Sequence, residues 1–408
     1  MKTPISILID NEERKRFRCI RFCMLLSGLS VFAQLYLFQP LLEDLSHSFQ
    51  VSAVDSSLAV SFTTTGMATG LFLLAFKADE ISRKRLMGLS LIVSSLLTLV
   101  SAFVSIFPLF LLVNFLKGLV LSGVSAVALA YLSEEINPAV MGAAISLYLS
   151  GNTMGGMGGR IAGTLLAGWA DWQVAVGVIG LVSLLLGALF VRMLPASSHF
   201  RPSAFPVQKR LTQMSRFLRN PQLMGIYVVA ALSMGVFVSV YNYISLLLES
   251  PAYGLSHQML AGVFLIYVAG VAGSMLMGRL SDRYNPYILL RYSLLLLLLG
   301  LCTLLIPSLV GIIVGLGILT FAFFSVHTMA SRIVAIRGVE ALSSATSLYW
   351  LFYYAGSGLL GSATGVWLMN HGWDGFVWGL VSLVGISFIA LYVAVPGHRI
   401  RFIKQMNY

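Results

Sequence analysis

The chain has 408 residues, of which 58% are apolar and only 10% charged, with a formal net charge of +11 and a mean hydropathy of +0.89. Soluble globular domains carry about a quarter charged residues, so this composition excludes them and predicts an all-α polytopic membrane protein. The three cysteines, Cys19, Cys23 and Cys302, match no disulfide framework or metal-ligand spacing, so no metal and no cofactor are expected.

Residues 1–21, with the charged run NEERKRFRCIRF, read as a cytoplasmic N-terminal segment. No small-residue cleavage site follows the first apolar run, so no removable signal peptide is expected. Six apolar runs come next, at 22–43, 54–76, 86–107, 109–132, 139–168 and 173–194. Each is near the roughly 20 residues that cross a bilayer. They are continuous rather than alternating, which predicts helices and not barrel strands. Residues 195–221 form the longest polar break, a linker with a proline at each of 195, 202, 206 and 221. Six further runs follow at 222–248, 258–280, 287–306, 308–331, 341–369 and 375–396, and a tail at 397–408. Twelve transmembrane helices in two six-helix bundles, 22–194 and 222–396, are therefore predicted.

Taken with the N-terminus inside, every Lys and Arg except Lys117 and Arg160 falls in or beside a cytoplasmic segment, while Glu43, Asp44, Asp55, Asp171, Glu249 and Asp374 lie near the opposite loops. This follows the positive-inside rule and places both termini in the cytoplasm. The basic charge thus reports topology, and no nucleic-acid partner is expected. The halves echo each other: AISLY at 144–148 recurs as ATSLY at 345–349, Trp172 matches Trp373 at the same spacing, and ADEISRK at 78–84 is echoed by SDRYNPY at 281–287. With an even number of spans in each half, they are parallel repeats, a transporter architecture.

The loop after span 2, AFKADEISRKRLM, resembles the signature G-x-L-a-D-r-x-G-R-K of the major facilitator superfamily through Asp79, Arg83 and Lys84, with Ala75 and Ser82 replacing its glycines. The second copy, GRLSDRYNPY, keeps Gly278, Leu280, Asp282 and Arg283. In span 5, SGNTMGGMGGRIAG resembles the antiporter motif G-x-x-x-G-P-x-x-G, with Gly155, Gly159 and Gly163 retained and Arg160 where proline is usual. The runs YLSEEI, LYLSGNTMGGMGGR, SSHFRP and SLYWLFYYAGS are similar to efflux-type members, and the resemblance covers essentially the whole chain.

Gly151, Gly155, Gly159 and Gly163 are four apart and form a ridge without side chains on one face of span 5. Gly270, Ser274 and Gly278 of span 8 offer a matching surface, and Gly66 and Gly70 of span 2 and Gly358, Gly361 and Gly365 of span 11 are similar. The resemblance implies that these spans meet where the halves adjoin; static packing is the alternative. It also implies a cytoplasmic gate of Asp79, Arg83 and Lys84, with Glu134 or Glu135 accepting Arg83, and a weaker copy at Asp282 and Arg283. The alternative for Arg83 to Arg85 is that they set topology alone.

Lys117 and Arg160 each lie some eight residues below the outer surface, roughly 12 Å deep at 1.5 Å per residue. No Asp or Glu falls mid-span to neutralise them. Buried cations are costly and rarely face lipid, so the pair is expected to face a cavity and attract an anion or zwitterion; snorkelling outward is the alternative. The family's span-4 arginine position holds Asn114 here. Gln34, Tyr36 and Gln39 stand where several drug exporters carry an embedded acid. Tyr148, Asn152, Tyr241, Asn242, His327 and Tyr349 are further candidates for a substrate-binding lining, with His327 expected to be a hydrogen-bonded packing residue.

No P-loop, H-E-x-x-H or G-x-S-x-G occurs, so neither direct ATP use nor an intramembrane enzyme is expected. A sensor would need a larger soluble domain than the central linker. The expected protein is an inner-membrane secondary transporter of small molecules, acting as a monomer. Proton-coupled efflux of an anionic, zwitterionic or neutral substrate is the leading reading, and proton-coupled import the alternative.

Overall fold

The computed structural model describes residues 11–136, 138–198, 200–202 and 206–395. The tail at 397–408, residues 1–10 of the N-terminal segment and residues 199 and 203–205 of the linker lie outside the described residues. Every regular element among those described is helical. Among the described residues, ten stretches are long and apolar enough to cross a membrane. The regions read as spans 5 and 11 are continuous helices of 32 and 22 residues, but they are not among those ten. Both are rich in glycine and serine, which lowers their hydropathy.

The chain divides into two compact units, Met1–Phe205 with Val240–Tyr267, and Pro206–Ser239 with Val268–Tyr408. The expected bundles separate at the same linker, whereas this grouping also takes 240–267 into the first unit.

The first unit contains α1 (Asn11–Leu35), α2 (Leu42–Phe49), α3 (Ala53–Ser56), α4 (Leu58–Lys77), α5 (Arg83–Ser101), α6 (Phe107–Glu135), α7 (Pro138–Trp169) and α8 (Trp172–Met193). It also holds the last part of α10 (Pro221–Glu249) and α11 (His257–Val263). Polar caps open several of these helices. Asp171 accepts from the backbone N–H of Val174 to start α8, and Ser256 accepts from Met259 N–H to start α11. Each satisfies an amide that the first helical turn leaves without a partner.

The first span is not one helix. It stops at Leu35, passes through a turn and a 3-10 segment at Gln39–Leu41, and resumes as α2. Pro40 explains the break, since it lacks an N–H and its ring collides with the carbonyl four residues earlier.

The α7 glycine stripe packs on α1. A Cβ at Gly151 would lie 2.6 Å from the Leu25 carbonyl oxygen, at Gly155 2.4 Å from that of Leu29, and at Gly159 2.6 Å from Ala33 Cα, while Gly163 leaves 3.4 Å to Leu37. The stripe's neighbour within this unit is thus span 1. A periodic ridge shows that some helix approaches closely, but not which one. Gly66 and Gly70 likewise press on α6, where added Cβ atoms would meet the Phe115 carbonyl at 2.0 Å and Ser122 Oγ at 2.2 Å.

The second unit contains α9 (Val207–Leu218), the start of α10, α12 (Tyr267–Leu280, from Val268), α13 (Pro286–Thr303), α14 (Leu309–Arg337), α15 (Leu342–Ala363) and α16 (Gly365–Ala394). Asn285 and Ser308 cap α13 and α14 through Tyr287 N–H and Gly311 N–H. Gly270 faces the Phe324 ring and Ser274 Oγ accepts from Thr328 Oγ1 at 3.1 Å, so the span-8 surface packs on α14; Gly278 has open space. On α15 it is Gly356 that meets α10, at the Ala231 carbonyl. Span 11 ends earlier than expected, and the helical path through α16 turns at Gly372, whose φ of 66° suits glycine.

Candidate functional site

The break after α1 creates the environment of Arg160. Its Nε donates to Gln39 Oε1 at 2.8 Å, Nη2 donates to the same oxygen at 2.5 Å, and Nη1 donates to the Gly156 carbonyl at 2.6 Å. A Cβ at Gly156 would lie 3.3 Å from Nη1, a close approach. The guanidinium carbon lies 4.7 Å from the Tyr36 ring centroid, 4.6 Å from Tyr267 and 5.9 Å from Tyr241, within reach of cation–π attraction. Gln39 Nε2 in turn donates to Asn242 Oδ1 at 2.9 Å. Arg160 is 1% exposed, and no carboxylate pairs with it among the described residues.

Lys117 is 0% exposed, and its Nζ stands 4.4 Å over the Phe38 ring with no hydrogen-bond partner among the described residues. One turn earlier, Asn114 Nδ2 donates to the Phe110 carbonyl at 2.8 Å, while its buried Oδ1 is without a donor. Both expected cations are therefore buried. They engage adjacent residues of one short segment, Lys117 over the Phe38 ring and Arg160 at Gln39 Oε1. An aromatic group, Phe38, Phe49, Phe107, Phe110 and Trp172, closes this region with ring spacings of 4.9 to 6.4 Å.

Other candidates separate from this group. Gln34 accepts from Thr98 Oγ1 at 2.8 Å and donates to Ser30, which ties α1 to α5. Tyr148 is buried, and Asn152 lies against Gly28, with its Oδ1 unbonded. In the second unit, His327 Nδ1 and the Tyr349 hydroxyl are 2.7 Å apart among the rings of Phe323, Trp350 and Tyr353. His327 is thus a hydrogen-bonded packing residue, as read from the sequence, although its partner is Tyr349 and not a nearby hydroxyl on its own helix.

At the α4–α5 loop, Arg83 Nη2 donates to Asp79 Oδ1 at 3.1 Å and to Glu134 Oε1 at 3.0 Å, while Nη1 donates to the Ala78 carbonyl at 2.7 Å. Glu134 is the acceptor; Glu135 instead pairs closely with Arg16, which also donates to Ser198 Oγ at 2.9 Å. Lys84 is half-buried and engages Ser197 only through its backbone N–H. In the second unit Asp282 accepts from Arg332 at 3.0 Å, and Arg283 is exposed. In the first copy Arg83, at the start of α5, binds both the loop acid Asp79 and Glu134 of α6, whereas in the second the loop acid Asp282 binds Arg332 of α14.

Sequence reasoning missed Tyr267, Phe38, Arg16, Arg332 and the contact of Ser57 Oγ with the Tyr243 hydroxyl at 3.0 Å. It also missed the outer pair of His257 and Glu249, 2.8 Å apart. Tyr267 follows a 3-10 segment at Phe264–Ile266 that itself contains neither Gly nor Pro.

The family model described as the Major Facilitator Superfamily matches residues 24–360. The chain is 34% identical over 391 residues to the uncharacterized MFS-type transporter YybF of Bacillus subtilis, covering 95% of each chain. It is 33% identical over 398 residues to the inner membrane transport protein YnfM of Escherichia coli, covering 97% of this chain and 95% of that one. Among solved structures, a bacterial homologue of the human lysosomal transporter Spinster, inward-facing and unoccupied, aligns with a TM-score of 0.74 at 16% identity, over 95% of this chain and 97% of that one. The chain therefore belongs to the major facilitator superfamily and is a multi-pass membrane transporter, not an enzyme.

Proposed function

We propose that this transporter exports a small anionic, zwitterionic or neutral organic molecule across the inner membrane in exchange for protons, by alternating access and as a monomer with both termini in the cytoplasm. One observation carries the substrate class: Lys117 and Arg160 are fully buried and neither has a carboxylate partner among the described residues. A buried cation without an anion is unfavourable, and a substrate that brings an acceptor group relieves it. A cationic drug would need the opposite sign.

The two cations differ in what they offer. Arg160 is held in position by neutral groups, whereas Lys117 Nζ and Asn114 Oδ1 are a donor and an acceptor without partners, placed to receive complementary groups. The Asp79–Arg83–Glu134 cluster acts as the cytoplasmic latch in this reading, supported by its charge-assisted bonds. The efflux direction rests on likeness of the α7 glycines to the antiporter motif, and the inner-membrane location on the relative YnfM.

The test begins with thermal shifts of purified protein against organic acids, amino acids, neutral metabolites and organic cations, followed by vesicle flux of each hit. Carboxylates or zwitterions are expected to bind. Arg160→Gln and Lys117→Gln are each expected to lower flux by about tenfold or more while inserting and folding normally. Hits confined to organic cations, or wild-type kinetics in Arg160→Gln vesicles, would sink the proposal.

A further inference from the structure

The helix α9 belongs to no span, and its three faces differ in chemistry. Arg210, Met214 and Phe217 are buried, and Gln213 accepts from Ser344 Oγ at 3.0 Å at the start of α15. Beside that buried face, Val207, Leu211 and Leu218 form a helical stripe that is 48%, 47% and 40% exposed. Beyond it lies a polar face with Thr212, Ser215, Arg216 and Arg219. A cavity of about 600 Å³ opens on this last face, lined by Thr212, Ser215, Arg216, Arg219, Asn220 and Gln222.

No acidic residue occurs between 207 and 222. Among the described residues the carboxylate paired with the polar face is Glu340, 3.2 Å from Arg216, and both of these side chains are well exposed. Arg219 has no ion pair among the described residues. The spanning helix α10 starts at Pro221, so α9 lies at the mouth of a span, at the membrane surface. Charge placement makes that surface the cytoplasmic one.

We propose that α9 is an interfacial helix that binds the phosphodiester headgroup of an anionic phospholipid in the cytoplasmic leaflet. The stripe of Val207, Leu211 and Leu218 lies in the acyl boundary, as amphipathic helices with an apolar face do. The arginines then meet the headgroup layer, where the guanidinium fork of Arg219 and the hydroxyls of Thr212 and Ser215 receive the phosphate oxygens. A lipid satisfies the apolar stripe and the basic cavity together, which a soluble phosphate does not. Arg216 exchanges its exposed, weakly held Glu340 partner for the same phosphate.

The test uses the full-length protein taken from vesicles of phosphatidylglycerol mixed equally with phosphatidylcholine. Native mass spectrometry then counts the retained lipids. Wild-type protein is expected to retain phosphatidylglycerol preferentially. The double variant Arg216→Gln/Arg219→Gln should lose about 25-fold of that preference, at about fivefold per basic residue near an anionic surface. Arg216→Lys/Arg219→Lys should keep most of it, which guards against a loss caused by misfolding. An unchanged ratio in the double glutamine variant overturns the proposal. So does an equal loss in Arg291→Gln, a basic site away from α9, or displacement of the bound lipid by millimolar inorganic phosphate, which would make the cavity a soluble-anion site.

Discussion

Arg160 is positioned by neutral dipoles and ring faces rather than by a counter-ion. Removing the partner of a buried charge costs about 3–5 kcal/mol, so the Gln39 carbonyl and the Gly156 carbonyl are both needed to hold the guanidinium in place. Gln39→Glu therefore supplies the missing anion from within the protein. The variant is expected to fold with an unchanged or raised apparent Tm but to lose about tenfold or more in flux, because Arg160 then carries its own carboxylate. Retained flux in reconstituted vesicles would show that the charge of this site does not recruit substrate. At this scale the presence of two cations without an acid beside them in a span was legible. Their engagement of neighbouring residues, Phe38 by Lys117 and Gln39 by Arg160, was not, because it depends on the break in the first span.

Among the elements, α7 shows how glycine spacing becomes packing. At Gly155 a methyl group would meet the backbone of α1, with Leu29 O at 2.4 Å and Leu29 Cα at 2.7 Å, whereas Gly158 has nothing within 4 Å. Backbone cannot rotate away as a side chain can, so Gly155→Ala must push the helices apart, at about 1–3 kcal/mol. Gly158→Ala should be neutral, or raise stability by up to about 1 kcal/mol through helix propensity. Apparent Tm in detergent separates the two, and equal values would mean that the α1–α7 approach is not tight. The break in the first span follows from Pro40, a local signal that the hydropathy pattern overrides when a long apolar run is read as one helix. The 3-10 segment before Tyr267 contains no proline, and the linker helix α9 was hidden in a stretch read only as polar.

For the whole molecule, the proposed exchange of substrate for protons sets a sign that can be measured. In vesicles with an acidic interior, substrate uptake should rise several-fold over vesicles at equal pH and should collapse when the gradient is dissipated. Stimulation by an acidic exterior instead would identify a symporter and reverse the proposed direction. The sequence by itself determined the membrane class, the positions of the apolar runs and the family. Hydropathy, charge and motif spacing belong to residues in order along the chain, and the bilayer reads them in that order. Only the tertiary structure decided that the glycine stripe meets span 1, that Glu134 and not Glu135 holds Arg83, and that Tyr36, Gln39, Tyr241 and Tyr267 surround Arg160. Those partners lie tens to more than a hundred residues apart, and close packing chooses among many equally apolar or polar neighbours by shape, which no one-dimensional pattern records.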